Sequence, residues 1–226
     1  MKGKNIVVIG GNSGIGGCLV TQLRDAGANV LVFSRRESGS GHLDVTDLDQ
    51  NLKDVPEVVH GFVYCPGSIT LKPFQRLTRE DFLTDYEINV LGAVRTIQAC
   101  FKSLKQAQGA SVVLFSTVAV QTGLGFHASI AAAKGAVEGL TRSLAAEWSS
   151  QKIRVNAVAP SLTDTPLAGQ LLSTPDKKEA AGKRHPLGRH GSVEDSAHAA
   201  FFLLSDQSTW ITGQVMQVDG GMSAIR

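Results

Sequence analysis

The feature that most constrains this chain is a glycine-rich turn, Gly10-Gly11-Asn12-Ser13-Gly14-Ile15-Gly16. It lies between the apolar run Asn5-Ile6-Val7-Val8-Ile9 and a segment, residues 15–26, with apolar side chains at helical spacing. The order reads as strand, tight turn, helix. Glycines at such a junction let the backbone turn sharply and come close to a pyrophosphate, whose charge then meets the free N–H groups and positive dipole end of the helix. A glycine-rich turn alone fits an ordinary tight turn, and its place at the head of a strand–turn–helix unit is what points to a dinucleotide. Gly10, Asn12, Ser13, Gly14, Ile15 and Gly16 are therefore candidate cofactor-binding residues.

The rest of the chain repeats the same alternation. Short apolar runs at 5–9, 29–33, 61–64, 111–115, 153–158 and 214–218 have the β-rich, two-faced apolar character of buried parallel strands. Helical spacing marks 15–26, with Gly27 as its stop, and then 86–107, 129–149 and 193–204. The expected architecture is a Rossmann-type, doubly wound α/β sheet flanked by helices, in one domain over residues 1–226. Residues 162–190 collect Pro166, Pro175 and Pro186 without a strong period and read as a mobile substrate lid.

Composition removes other classes. With 42% hydrophobic and 19% charged residues the chain is not of the disordered kind. A net charge of +2 with no block of like charges excludes a nucleic-acid arm or polybasic membrane patch. Glycines cut the run Ile6-Val7-Val8-Ile9 far short of a signal core or membrane span, so a cytoplasmic location is expected. Cys18, Cys65 and Cys100 are widely spaced, which indicates buried free thiols rather than disulfides or a metal site.

Coenzyme choice turns on the end of the second strand, where a carboxylate would bond the ribose of NAD and a guanidinium would pair with the 2′-phosphate of NADP. Ser34, Arg35 and Arg36 stand there with no acidic neighbour at the critical place, which predicts NADP(H).

The spacing Gly10-x-x-x-Gly14-x-Gly16 resembles that of the short-chain dehydrogenases/reductases, although Ile9 stands where that family usually has threonine. Further matches follow in order over about residues 4 to 224. Asp44-Val45 resembles the family's adenine-holding pair, Gly67 the last residue of its Asn-Asn-Ala-Gly turn, and Asn89 its active-site asparagine. Lys134 is similar to its ribose-binding lysine. The run from Arg154 to Pro160, then Leu162 and Thr165-Pro166, resembles the strand and loop that contact nicotinamide, and 186–189 and 211–221 resemble its C-terminal signature. The resemblance implies an oxidoreductase with a small-molecule substrate, a homodimer or homotetramer paired through the helices at 86–107 and 129–149, and Asn89, Thr117 and Lys134 in the active site.

The pattern breaks at one position. The family places a tyrosine four residues before the lysine, where the lysine's charge lowers the phenol's pKa and the phenol exchanges a proton with the substrate. Here that residue is Ile130, which holds no proton to give; Thr117, thirteen residues earlier, keeps the family's hydroxyl. Tyr64-Cys65-Pro66-Gly67 is a second departure, since Pro66 removes a backbone donor and Cys65 an amide side chain. Three readings of Ile130 stand. Thr117 and Lys134 stabilise an oxyanion while another group supplies the proton. Alternatively His127, at the seven-residue spacing of the tyrosine in the related enoyl-thioester reductases, is the acid. In the third the chain binds NADP(H) without turnover, as a regulatory or assembly protein. Lys177, Lys178, Lys183, Arg184, His185, Arg189 and His190 face only Glu179 in the lid, which fits either an anionic or thioester-linked substrate or a solvated loop.

Overall fold

The computed structural model describes residues 1–35 and 41–225. Seven parallel strands form one sheet: β1 (Asn5–Ile9), β2 (Asn29–Ser34), β3 (Gly41–His42), β4 (Gly61–Tyr64), β5 (Ser111–Phe115), β6 (Arg154–Pro160) and β7 (Val215–Val218), in the order β3-β2-β1-β4-β5-β6-β7. The helices are α1 (Gly14–Asp25), α2 (Arg79–Tyr86), α3 (Gly92–Gln106), α4 (Ala119–Thr122), α5 (Ala128–Trp148), α6 (Pro175–Lys183) and α7 (Val193–Leu204).

The central strands β1, β4, β5 and β6 bury both faces because successive side chains point to opposite sides of the sheet. Val7, Ile9, Phe62, Tyr64, Val112 and Leu114 pack on one side, with Ile97, Cys100 and Leu104 of α3 and Ala133, Val137 and Trp148 of α5. Ile6, Val8, Val63, Val113 and Val158 pack on the other side, with Leu19 and Leu23 of α1 and Ala197, Ala200 and Leu203 of α7. These two cores are what make the sheet doubly wound. The chain leaves β1 toward β2 on one side and resumes at β4 on the other, so a crevice opens at the carboxyl ends of β1 and β4, where such folds hold ligands.

Three elements depart from the expected pattern. The helical path predicted from residue 86 begins at Arg79, as α2, and reaches α3 through a π-helical segment, Glu87–Leu91. Helix α2 carries no apolar stripe; its start is set by a capping box, Asp81 N donating to Thr78 Oγ1 at 3.2 Å and Thr78 N to Asp81 Oδ2 at 3.0 Å. Within the stretch predicted as a lid, α6 forms behind Thr174, whose hydroxyl accepts from Lys177 N, with Pro175 at its first position. Strand β3 spans two residues, too few to show an alternation in sequence.

Candidate functional site

The carboxyl ends of β1, β2, β4, β5 and β6 converge on a cavity of about 710 Å³. Its floor is the turn after β1. Gly10 has φ +77, and a Cβ on it would lie 3.1 Å from the Pro66 ring. A Cβ on Gly16 would lie 2.4 Å from the Gly10 carbonyl oxygen, so the first turn of α1 sits directly against the strand end. Ser13, the cap residue of α1, makes no side-chain cap bond and no acidic side chain stands in the first turn, so the amino end of α1 faces the cavity with its backbone donors. Gly14, Ile15, Leu162 and Thr165 also line this space, and the Thr165 methyl would be 3.5 Å from a Cβ on Gly14.

At one end of the cavity Asn12 bonds the Ser34 hydroxyl and Arg35 is exposed at the rim. Arg36 lies outside the described residues. Asp44 and Val45 form the neighbouring wall. Asp44 Oδ1 accepts from Thr46 N at 2.9 Å and Thr46 Oγ1 at 2.7 Å; these bonds, helped by the nearby Arg35 charge, hold the carboxyl below the usual carboxylate range.

At the other end lie Gly67, Lys134, Asn89, Thr117, Ile130 and His127. Lys134 Nζ donates to the Phe115 carbonyl at 2.7 Å, and burial pushes its pKa down to about 8 against the opposing influence of Cys65 and Asp85. Asn89, in the π-helical segment, donates from Nδ2 to Asp85 O at 2.7 Å and to Ser68 Oγ at 3.0 Å. A Cβ on Gly67 would be 3.3 Å from Asn89 Oδ1 and 3.8 Å from Lys134 Nζ, so a side chain there would crowd the Asn89 carbonyl. Ser116 donates to Glu138 Oε1 at 2.9 Å, leaving its neighbour Thr117 as the cavity-lining hydroxyl on which no carboxylate draws. Ile130 lines the cavity one helical turn before Lys134 and is 4% exposed. His127 precedes α5 on the same wall, its Nδ1 2.6 Å from Gly125 O.

Neither tyrosine lines this cavity. Tyr64 packs on the α3 and α5 side and bonds the Ile88 carbonyl, and burial drives its pKa far up. Tyr86 is at the surface. Cys65 is a cavity residue beside Lys134, but burial pushes its thiol up to about 12, so it stays protonated at neutral pH. Sequence reasoning missed Ser68 and Asp85: nothing in the local pattern places a serine and an acid seventeen residues apart in contact, yet Ser68 Oγ donates to Asp85 Oδ1 at 2.6 Å. It also missed that three cations of segment 162–190 are ion-paired, Lys178 with Asp164, Lys183 with Glu179 and Arg189 with Asp195.

The family model described as enoyl-(acyl carrier protein) reductase matches residues 9–223. A tropinone reductase homologue of Arabidopsis thaliana is 33% identical over 99% of this chain and 94% of its own length. The L-xylulose reductase of Bos taurus is 32% identical over 99% of this chain and 98% of its own. A solved short-chain type dehydrogenase/reductase of Mycobacterium ulcerans superposes with a TM-score of 0.89 and 27% identity, over 100% of this chain and 92% of that one. The chain belongs to the short-chain dehydrogenase/reductase family. This dehydrogenase/reductase is thus an oxidoreductase by family, with the family's nicotinamide dinucleotide fold and a small-molecule substrate.

The glycine cradle, the amino end of α1 and the cavity-lining Lys134 fit such a dinucleotide. Among the described residues no group of three His, Cys, Asp or Glu side chains is placed to hold a metal ion, and no helix is long and apolar enough to cross a membrane.

Lys134 holds its charge at a cost to the dehydrogenase/reductase. The folded pKa, about 8, lies below the ordinary 10.5, so the charged form is disfavoured on folding. By linkage the penalty is fully present below pH 8, amounts to about 3 kcal/mol, and disappears as pH rises from 8 to 10.5. Measured against Lys134→Met, whose stability lacks this titration, the wild type is therefore expected to gain up to about 3 kcal/mol as pH rises from 8 to 10.5. Urea unfolding of both proteins across pH 7 to 10.5 checks it; a stability difference that does not move with pH over this range refutes it.

Proposed function

We propose that this short-chain dehydrogenase/reductase takes NADP(H) and reduces a carbonyl or activated double bond of a small molecule, with a proton supply altered by Ile130. The observation that carries the reading is the convergence of Lys134 and Thr117 on one end of a cavity whose other end presents Arg35 beside Ser34. The pyrophosphate belongs over Gly10, Asn12, Ser13, Gly14, Ile15 and Gly16, the adenine beside Asp44 and Val45, and the nicotinamide ribose at Gly67 and Lys134, with Leu162 and Thr165 over the ring. When bound, the coenzyme supplies the hydride.

Thr117 donates a hydrogen bond to the substrate oxygen, and the Lys134 ammonium, protonated at neutral pH, lends it positive charge. Ile130 and the lid segment 162–190 exclude water from that end. Proton delivery then falls to the Lys134 ammonium through the ribose or to His127, which stands on the same wall. The α3 and α5 faces are the proposed pairing surfaces of a homodimer or homotetramer, where Ala131, Ala132 and Ala136 allow close approach; Ala145 is spent in the core. With most lid cations already ion-paired, an anionic or thioester-linked substrate would rely on Arg184, which lines the cavity.

Calorimetric titration with both reduced coenzymes tests coenzyme binding. Arg35→Ala is expected to weaken NADPH binding by about 10- to 100-fold, the worth of one or two charge-assisted bonds, and to leave NADH unchanged. Equal losses for both coenzymes would refute the 2′-phosphate role. NADPH consumption against ketones, quinones and α,β-unsaturated thioesters tests turnover, with His127→Ala alongside. The second reading, an NADP(H)-binding protein without turnover, is favoured by Ile130 itself: with Cys65 protonated and both tyrosines outside the cavity, no phenol serves it.

A further inference from the structure

A polar cluster unused by the chemistry above lies behind Lys134. Asp85, on the last turn of α2, is 0% exposed. Its Oδ1 accepts from Ser68 Oγ at 2.6 Å and from Thr70 Oγ1 at 3.4 Å. Ser68 in turn accepts from Asn89 Nδ2 at 3.0 Å and lines the cavity. Two oxygens of the cluster, Asp85 Oδ2 and Asn89 Oδ1, are buried without a hydrogen-bond partner, and Asn89 Oδ1 faces the same point above Gly67 as Lys134 Nζ. A buried carboxylate with an unsatisfied oxygen costs several kcal/mol unless an opposite charge compensates it.

We propose that Asp85 is a positioning residue of this site: its buried carboxylate, fixed by Ser68 and Asn89, is the counter-charge that keeps Lys134 a cation on the cavity wall. Its role in turnover rests on the function proposed above; the pairing with Lys134 does not. Among the described residues no other carboxylate is placed to do this. On α2, Asp81 is engaged by Lys72, and on α5 Glu138 is taken by Ser116 and Arg142. Glu87 of the π-helical segment bears on Tyr64, and β5 and α4 carry no titratable side chain. Arg154 of β6 is turned to the Ile211 and Ser205 carbonyls. Cys65, after β4, is a protonated thiol at neutral pH.

The test is the titration of Lys134 itself, followed by NMR in protein carrying ¹³Cε-lysine and assigned by the signal lost in Lys134→Arg. In Asp85→Asn the midpoint is expected to fall, by a few tenths to about one pH unit, as removal of an opposite charge from a buried cluster requires. In Ser68→Ala, which unties the carboxylate without removing it, the fall has the same sign and is smaller. An unchanged midpoint in folded Asp85→Asn overturns the proposal; if that variant does not fold, an unchanged midpoint in Ser68→Ala does so. NADPH titration across pH 6 to 10 separates the two readings. A shifted Lys134 midpoint in a protein that takes up no coenzyme removes the proposed function and leaves the Asp85–Lys134 pair standing. Normal uptake with an unshifted midpoint removes the pair alone.

Discussion

Replacing Ile130 by tyrosine is expected to raise the rate of NADPH-dependent ketone reduction by about 10²- to 10⁴-fold, the usual worth of a positioned general acid. The backbone already supports it: residue 130 and Lys134 are one turn apart on the same face of α5, and both line the cavity. A phenol there would meet the Lys134 ammonium, which favours the phenolate and brings the hydroxyl toward a working range. The larger ring has room only toward the cavity, since Ile130 is otherwise packed. Stopped-flow NADPH oxidation against a panel of ketones measures the effect. A rise confined to the tyrosine variant, from a wild-type rate of zero on every acceptor, would favour the reading without turnover. Equal rates in the two proteins would mean that another group already supplies the proton, and His127→Ala identifies whether it is the imidazole.

The second large effect is expected at Gly16. A Cβ there would lie 2.4 Å from the Gly10 carbonyl oxygen and 3.1 Å from Cys65 Sγ, and the first of these is backbone that cannot swing aside. Gly16→Val should push α1 off the end of β1, cost about 2–3 kcal/mol as an overpacked site does, and weaken coenzyme binding by ~100-fold or more as the amide cradle opens. Gly109→Ala is the control. It lies in the turn after α3 with no left-handed φ and no atom within 4 Å of the added methyl, so it should stabilise the protein by about 0.4–1 kcal/mol and leave coenzyme binding unchanged. Thermal melts with and without NADPH report both quantities, and a Gly16→Val protein that binds coenzyme normally would overturn the close-approach argument.

Much of the fold was legible because its signals are local. Ile6, Val7, Val8 and Ile9 alternate between two cores, so a strand buried on both faces shows as an unbroken apolar run. Helix α2 was invisible because REDFLTDY has no apolar stripe and is held by a capping box rather than by packing. Helix α6 was hidden by Pro175, which reads as a breaker until it is seen at the first helical position behind Thr174. At the site, Lys134, Asn89, Thr117 and the glycines were nameable in advance because of the family resemblance around each; Lys134, Thr117, Gly10, Gly14 and Gly16 line one cavity, while Asn89 is buried next to Gly67 without lining it.

Amino-acid order by itself determined six of the sheet's seven described strands, the glycine turn at the head of α1, the guanidinium after β2 and the isoleucine one turn before Lys134, since each depends on residues within a few positions of one another. Only the tertiary structure decided that Asp85 is buried against Ser68 and Asn89, that Asp164 and Asp195 pair with Lys178 and Arg189, and that Cys65 stands beside Lys134 with its proton held on. The physical reason is range. Periodicity, capping and turn chemistry act along the chain, whereas burial, charge pairing and pKa depend on which distant segments the packing of the sheet brings together.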